Sequence, residues 1–192
     1  NVYETYFVGR NVIDVGTSNG DSSIFFAMMG AKKVVGIEPF PESFDLAQKN
    51  ISQSRLEGKI VVLNKAISGC RGKTDFFVYA NNPNANSTDP QNMVELDDRK
   101  ETMKVDQTTI EDILEMFNEE PIHLLKMDCE GCEYQSLGSL SSASFSRIQK
   151  IILEYHNGIQ NLSNILGNNG YAVRINIAFD NKVGYLTAEK EN

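Results

Sequence analysis

Four titratable side chains stand together at two points late in the chain. Asp128 and Glu130 lie in Lys126-Met-Asp128-Cys-Glu130-Gly-Cys132-Glu133, and Glu154 and His156 lie in Leu153-Glu154-Tyr-His156. On extended chain, residues two apart point the same way, so each pair can face one cleft and offer general acid–base groups or hard metal donors. The competing reading is structural: Asp128 and Glu130 capping a helix, and Glu154 paired with Lys126. Much earlier, Val12-Ile-Asp14-Val-Gly16-Thr-Ser18-Asn19-Gly20-Asp21 sets an acid and two glycines between an apolar run and a helical one. Glycines there let the backbone turn sharply and approach a ligand closely. The Gly16 to Gly20 spacing matches neither the G-x-G-x-x-G fingerprint nor a Walker loop. A smaller or differently charged ligand suits it better, or else it is a plain turn with Asp21 as a helix N-terminal charge. Glu38, in Gly36-Ile-Glu38-Pro39, ends another apolar run 18 residues after Gly20. An acid so placed can accept hydrogen bonds from both ribose hydroxyls, and with the glycine loop it indicates a nucleoside across the C-terminal edge of a sheet.

Those groups need strands that end where the motifs begin. Asn11 to Val15 and Lys33 to Ile37 are short Val/Ile-rich runs followed by polar or Gly-rich breaks, as buried parallel strands tend to be. Between them, Ile24, Phe25 and Met28 have helical spacing. A second unit follows, with Phe44, Ala47 and Ile51 after Pro41 and then a strand from Lys59 to Leu63. Thr108 and Glu111 read as a capping box ahead of Ile110, Ile113, Leu114 and Phe117. Strands at Ile122 to Met127 and Gln149 to Leu153 enclose a short helix over Glu133 to Leu140, and a helix over Ile159 to Leu166 closes at Gly167 or Gly170. This rhythm predicts one doubly wound, mostly parallel α/β domain over residues 1–192. The end departs from it: Val173, Ile175, Ile177 and Phe179 alternate with polar or small residues, and an Asp180-Asn181 turn precedes Val183 to Thr187, predicting a C-terminal antiparallel hairpin. Residues 81–100 lack any period and read as a lid or substrate loop.

Composition limits the partners. The 26 acidic and 18 basic residues leave a formal charge of −8, which disfavours nucleic acid. The longest apolar stretch, Ile24 to Ala31, is far shorter than the roughly 20 residues a membrane span requires. The chain opens on Asn1 instead of Met, which points to a preceding segment. Three cysteines, Cys70, Cys129 and Cys132, are too few and too odd for a secreted disulfide framework, so a reducing, cytoplasmic setting is expected.

Five linked motifs, Asp14-Val-Gly16 through Gly20-Asp21, Glu38-Pro39 with Pro41-Glu42, Asn64-Lys-Ala66, Lys126 to Glu133, and Glu154-Tyr-His156, resemble the FkbM-type family of S-adenosylmethionine-dependent methyltransferases from about Asn11 to Tyr171. The resemblance implies a Rossmann-like, seven-stranded class I methyltransferase sheet whose last strand is antiparallel. It implies S-adenosylmethionine as cofactor, with Asp14, Gly16 and Gly20 under its methionine part, Glu38 on its ribose, and Asn64 and Ala66 near its adenine. Ser18, Asn19, Asp21, Pro39 and Asp128 complete the implied cofactor set. The family often has Ala-Asn where this chain has Thr17-Ser18, so Asn19 is expected to supply part of the loop's hydrogen bonding.

Methyl transfer from a sulfonium is an in-line displacement that discharges a cation, so alignment and water exclusion supply most of the rate. An aliphatic hydroxyl acceptor still needs a base. His156, oriented by Glu154, is the first candidate and Glu130 the second. A divalent metal on Asp128, Glu130, Glu154 and His156 is a competing reading, although no spacing here is diagnostic of one. Redox chemistry at Cys129 and Cys132 is a weaker one, because flanking acids raise thiol pKa values. The expected activity is O-methylation of a small-molecule or glycan hydroxyl. The alternatives are a non-catalytic nucleoside-binding module of the same fold and, on fold analogy alone, a nicotinamide-dependent oxidoreductase.

Overall fold

Alternate residues of the central strands feed two separate cores, and this places the sheet in the middle of the molecule. The computed structural model describes residues 6–79, 86–88, 100–178 and 182–190. Strands β1 (Asn11–Val15), β2 (Lys33–Ile37), β7 (Ile122–Met127) and β8 (Ile148–Tyr155) send Val12, Val34, Leu124 and Ile152 to one face. There they meet Phe26 of helix α1 (Asp21–Met28) and Ile51 of α2 (Pro41–Gln53). Ile13, Val35, Leu125 and Ile151 go to the other face, against Ile113 of α3 (Ile110–Glu115), Leu137 of α4 (Glu133–Gly138) and Leu162 of α6 (Leu162–Asn168). A short helix α5 (Ser142–Ser146) adds Phe145 to this second core. Burial on both faces is why the strands read as unbroken apolar runs.

With β3 (Ile60–Leu63), β9 (Tyr171–Ala178) and β10 (Gly184–Lys190), the sheet has seven strands in the order β3-β2-β1-β7-β8-β10-β9. β1 pairs in parallel with both β2 and β7, whereas β10 is antiparallel to both β8 and β9. The expected class I architecture and C-terminal hairpin are therefore present. The expected Asp180-Asn181 turn lies outside the described residues. The order reverses between β1 and β7, and there the carboxyl ends of two neighbouring strands open a crevice.

A second sheet goes beyond the sequence expectations. It comprises β4 (Ala66–Ile67), β5 (Gly72–Tyr79) and β6 (Lys100–Thr108). β5 and β6 pair antiparallel, and Phe76 and Val105 pack with Ala66 beneath them. The signal was the apolar run Phe76 to Tyr79 in β5 and, in β6, the alternation of Met103 and Val105 with Lys104 and Asp106. Most of the expected 81–100 loop lies outside the described residues, but Ser87 forms a bridge with Phe77 of β5.

Three local expectations are corrected. The capping box at α3 is Thr109 with Asp112, not Thr108 with Glu111, because Thr108 is still a strand residue paired with Ile67. Met28, whose helical spacing with Ile24 and Phe25 predicts a core-facing position, is exposed on α1. Cys129 and Cys132 are joined in a disulfide and only Cys70 is free, which removes the basis for inferring a reducing compartment from the cysteines. No described helix is long and apolar enough to cross a membrane.

Candidate functional site

The loop after β1 turns through Gly16 at φ 74° and Ser18 at φ 48°, conformations that favour glycine and small polar residues. Its backbone is tied to both neighbours: Gly16 N–H donates to Ile37 O at 3.0 Å, and Asp128 N–H donates to Val15 O at 3.1 Å. A Cβ on Gly16 would lie 1.8 Å from the carbonyl oxygen of Asp128. Underneath, Asp14 is wholly buried and its Oδ2 accepts from the hydroxyls of Ser22 and Ser23, each at 2.7 Å. Lys126 Nζ lies 3.3 Å from Asp14 Oδ1 and donates to Gly16 O at 2.9 Å. A buried cation thus pins the loop from below.

Glu38 directly follows β2 and is 7% exposed. Its Oε2 accepts from Ser18 N–H and its Oε1 from Phe40 N–H, both at 2.9 Å. Burial pushes its pKa up; these two hydrogen bonds and Lys126 work in the opposite direction. Each carboxylate oxygen keeps a further lone pair for a ligand hydroxyl. Asn64 fixes the turn that follows, donating to Glu38 O at 3.0 Å and Pro39 O at 3.1 Å.

A cleft of about 310 Å³ opens above these groups. Gly16, Ser18, Glu38, Pro39, Asp128, Glu130 and Glu154 line it, together with Ala66 and Phe76 from the small sheet. Four acids in one cleft suit a cationic ligand. Ser87 is buried and its hydroxyl donates to the Glu130 carbonyl, holding residues 86–88 against the rim.

His156 sits just behind Glu130. Its Nε2 is 3.4 Å from Glu130 Oε2 and its Nδ1 is 3.2 Å from Oε1 of Glu133, which is wholly buried. Burial works against the imidazolium, but the two carboxylates outweigh it and push His156 up to about 10. Glu154 is half-buried in the cleft; burial and the charges of Asp128 and Glu130 raise its pKa, against a hydrogen bond from Tyr185 and the charge of His156.

The donor atoms of Asp128, Glu130 and His156 lie within 4.8 Å of one another. A cation there would have to displace the proton that Glu130 and Glu133 hold on His156. The donor set suits a proton better than a metal.

The profile of the methyltransferase FkbM domain matches residues 14–173. The chain belongs to the FkbM methyltransferase family. An FkbM methyltransferase from Methylobacillus flagellatus superposes with a TM-score of 0.65 at 17% identity, covering 94% of this chain and 43% of that one. An O-methyltransferase from Bacillus cereus, in complex with S-adenosylhomocysteine, superposes at 0.55 with 14% identity, covering 95% and 74%. In sequence, the ribosomal protein L11 methyltransferase of Carboxydothermus hydrogenoformans is 37% identical over 71 residues, 36% of this chain. This chain thus spans only 23% of that relative's length through the match, and less than half of the M. flagellatus protein.

Within this FkbM domain the expected residues divide into three groups. Gly16, Ser18, Glu38, Pro39, Ala66 and Asp128 line the cleft, as do Glu130 and Glu154. Asp14, Asn19, Gly20 and Asn64 lie behind or beside it, and they shape the loops. Asn19 Oδ1 accepts from Asp21 N–H at 3.2 Å, its carbonyl accepts from Asn50 at 2.9 Å, and Gly20 at φ 86° packs on Ala47. Asp21 is exposed at the start of α1, with its carboxylate on Ser22 N–H. The expectation that Glu154 orients His156 is corrected: the orienting groups are Glu133 and Glu130. At the level of sequence, Ser22, Ser23 and Glu133 have no site role, and Lys126 has only that of a structural partner to Glu154. A lysine inside an apolar strand and a Ser-Ser pair opening a helix were the available signals.

Proposed function

We propose that this domain transfers a methyl group from S-adenosylmethionine to a hydroxyl oxygen of a sugar, glycan or secondary metabolite. The observation that carries the reading is Glu38, held at the end of β2 by two backbone N–H groups and facing the cleft beside a loop that admits no Cβ at Gly16. Such an acid suits the ribose of a nucleoside, and Pro39, Ala66 and Phe76 offer an apolar bed for its base. When bound, the cofactor supplies a methyl carbon activated by a sulfonium.

The chain's own residues supply attraction, alignment and a proton sink. Asp128, Glu130 and Glu154 line the same cleft as Glu38, where their charge favours a cationic centre. His156 is held protonated between two carboxylates, so it keeps Glu130 in place and does not act as base. Glu154 is the better base, because burial in the cleft raises its affinity for the proton that a hydroxyl must lose.

Calorimetric titration with S-adenosylmethionine and S-adenosylhomocysteine tests the cofactor assignment, with NADH as comparator. Micromolar binding that falls at least about 100-fold in Glu38→Ala supports it. Absence of binding to both by the folded wild type overturns it.

A further inference from the structure

A second cleft, of about 450 Å³, adjoins the first. Ile67, Thr88 and Cys132 line both, so they share a wall. The small sheet contributes Thr74 and Gln107 to its lining, and the segment after Asp128 contributes Gly131 and Gln135. The two clefts differ in charge. The first carries four carboxylates, whereas the described lining of the second contains no Lys, Arg, His, Asp or Glu. Its polar groups are amides, hydroxyls and the free Cys70 thiol, whose sulfur accepts from Gln107 Nε2 at 3.3 Å.

That chemistry selects a ligand class. Side-chain amides and hydroxyls donate and accept, as sugar hydroxyls do, so the two surfaces can pair without leaving a charge desolvated. A phosphate-bearing acceptor would instead need cations, and here it would meet a neutral wall beside an acidic cleft in a chain of net charge −8. The glutamines also retain capacity. Gln135 Oε1 accepts from Ser68 at 3.4 Å, and Gln160 Nε2 donates to Asn157 O at 3.1 Å, each engaging one end of an amide that offers two donors and an acceptor.

We infer that the second cleft binds the methyl acceptor through a neutral, polyhydroxylated group. The inference rests on the reading of the first cleft as the cofactor site, since only then does a hydroxyl at the shared wall lie next to the reacting centre. It assigns Gln107 and Gln135, which both line the cleft, as acceptor-binding residues.

The test is nitrogen-15 spectroscopy of the side-chain amides with S-adenosylhomocysteine present. Methyl α-D-glucopyranoside and sucrose serve as neutral probes and glucose 6-phosphate as the charged one, each to about 100 mM, enough to populate a millimolar site. The neutral probes are expected to shift the Gln107 and Gln135 signals. Gln135→Leu is expected to weaken that binding about fivefold, the effect of one lost hydrogen bond, with S-adenosylhomocysteine affinity unchanged. Still glutamine signals at the highest concentration overturn the inference, as does tighter binding of glucose 6-phosphate or of an RNA oligonucleotide. The backbone amides of Gly16 and Ser18 report the first cleft separately. If they respond to S-adenosylhomocysteine while the glutamines stay silent, the acceptor assignment alone fails. If they do not respond, the cofactor reading fails.

Discussion

Gly16 and Asp128 meet backbone to backbone: a methyl group added to Gly16 would sit 1.8 Å from the Asp128 carbonyl oxygen. This contact joins the glycine loop to the acidic segment more than a hundred residues later. Lys126 reinforces it by donating to Gly16 O while lying 3.8 Å from the Asp128 carboxylate.

Gly16→Ala is therefore expected to be severe. It combines strain at φ 74° with overpacking against backbone that cannot rotate away, together costing about 2–5 kcal/mol. Urea melts and S-adenosylhomocysteine titration check this. Wild-type stability in the variant would contradict the close approach.

Glu154→Gln is expected to lower kcat by about 100- to 10,000-fold while leaving S-adenosylhomocysteine affinity within about twofold. In the wild type, rate should rise with pH as Glu154 loses its proton, with a midpoint above the ordinary carboxylate range because burial raises it. The pH–rate profile of the variant should lack that limb.

His156 makes stability depend on pH in a definite direction. Its folded pKa, pushed up to about 10, lies above the ordinary value of 6.5. Its contribution is complete below about pH 6.5 and disappears as pH rises through about 10, with a slope of up to about 1.4 kcal/mol per unit. His156→Gln leaves the wholly buried Glu133 uncompensated and should cost about 3–5 kcal/mol. Adding Glu133→Gln should recover part of that loss, and denaturant melts from pH 6 to pH 10 read both effects.

Thiol titration under denaturing conditions should find one thiol before reduction, that of Cys70, and three afterwards. Reducing the Cys129–Cys132 bridge should cost at most about 2 kcal/mol, the chain entropy of so short a loop. The bridge flanks Glu130 at φ 55° and Gly131 at φ 109°, so the loss should appear first as weaker ordering of Glu130 against His156.

Chelation with EDTA is expected to leave methyl transfer unchanged, because the proton on His156 occupies the place a cation would need. Loss of activity that magnesium or manganese restores would overturn the protonated assignment.

Much of the frame was legible in the chain. Val12, Ile13, Val34 and Val35 face two cores, so their runs are apolar without alternation, and the motifs stand at strand ends because a doubly wound sheet gathers its carboxyl edge there. The C-terminal alternation marked the antiparallel hairpin. The small sheet was less legible, since β5 and β6 carry charges on their exposed positions and bury only Phe76, Val105 and a few neighbours. Thr108 and Glu111 have the spacing of a capping box, yet pairing of Thr108 with Ile67 moved the cap by one residue.

The sequence by itself determined which groups reach the sheet edge: Gly16, Glu38, Asp128, Glu130, Glu154 and His156. Only the tertiary structure decided what those groups can do. Local spacing suggested Glu154 as the partner of His156, whereas folding brings Glu133 and Glu130 onto its two ring nitrogens. Proton affinity depends on burial and on the charges within a few ångströms, and those are set by which helix packs behind the strand.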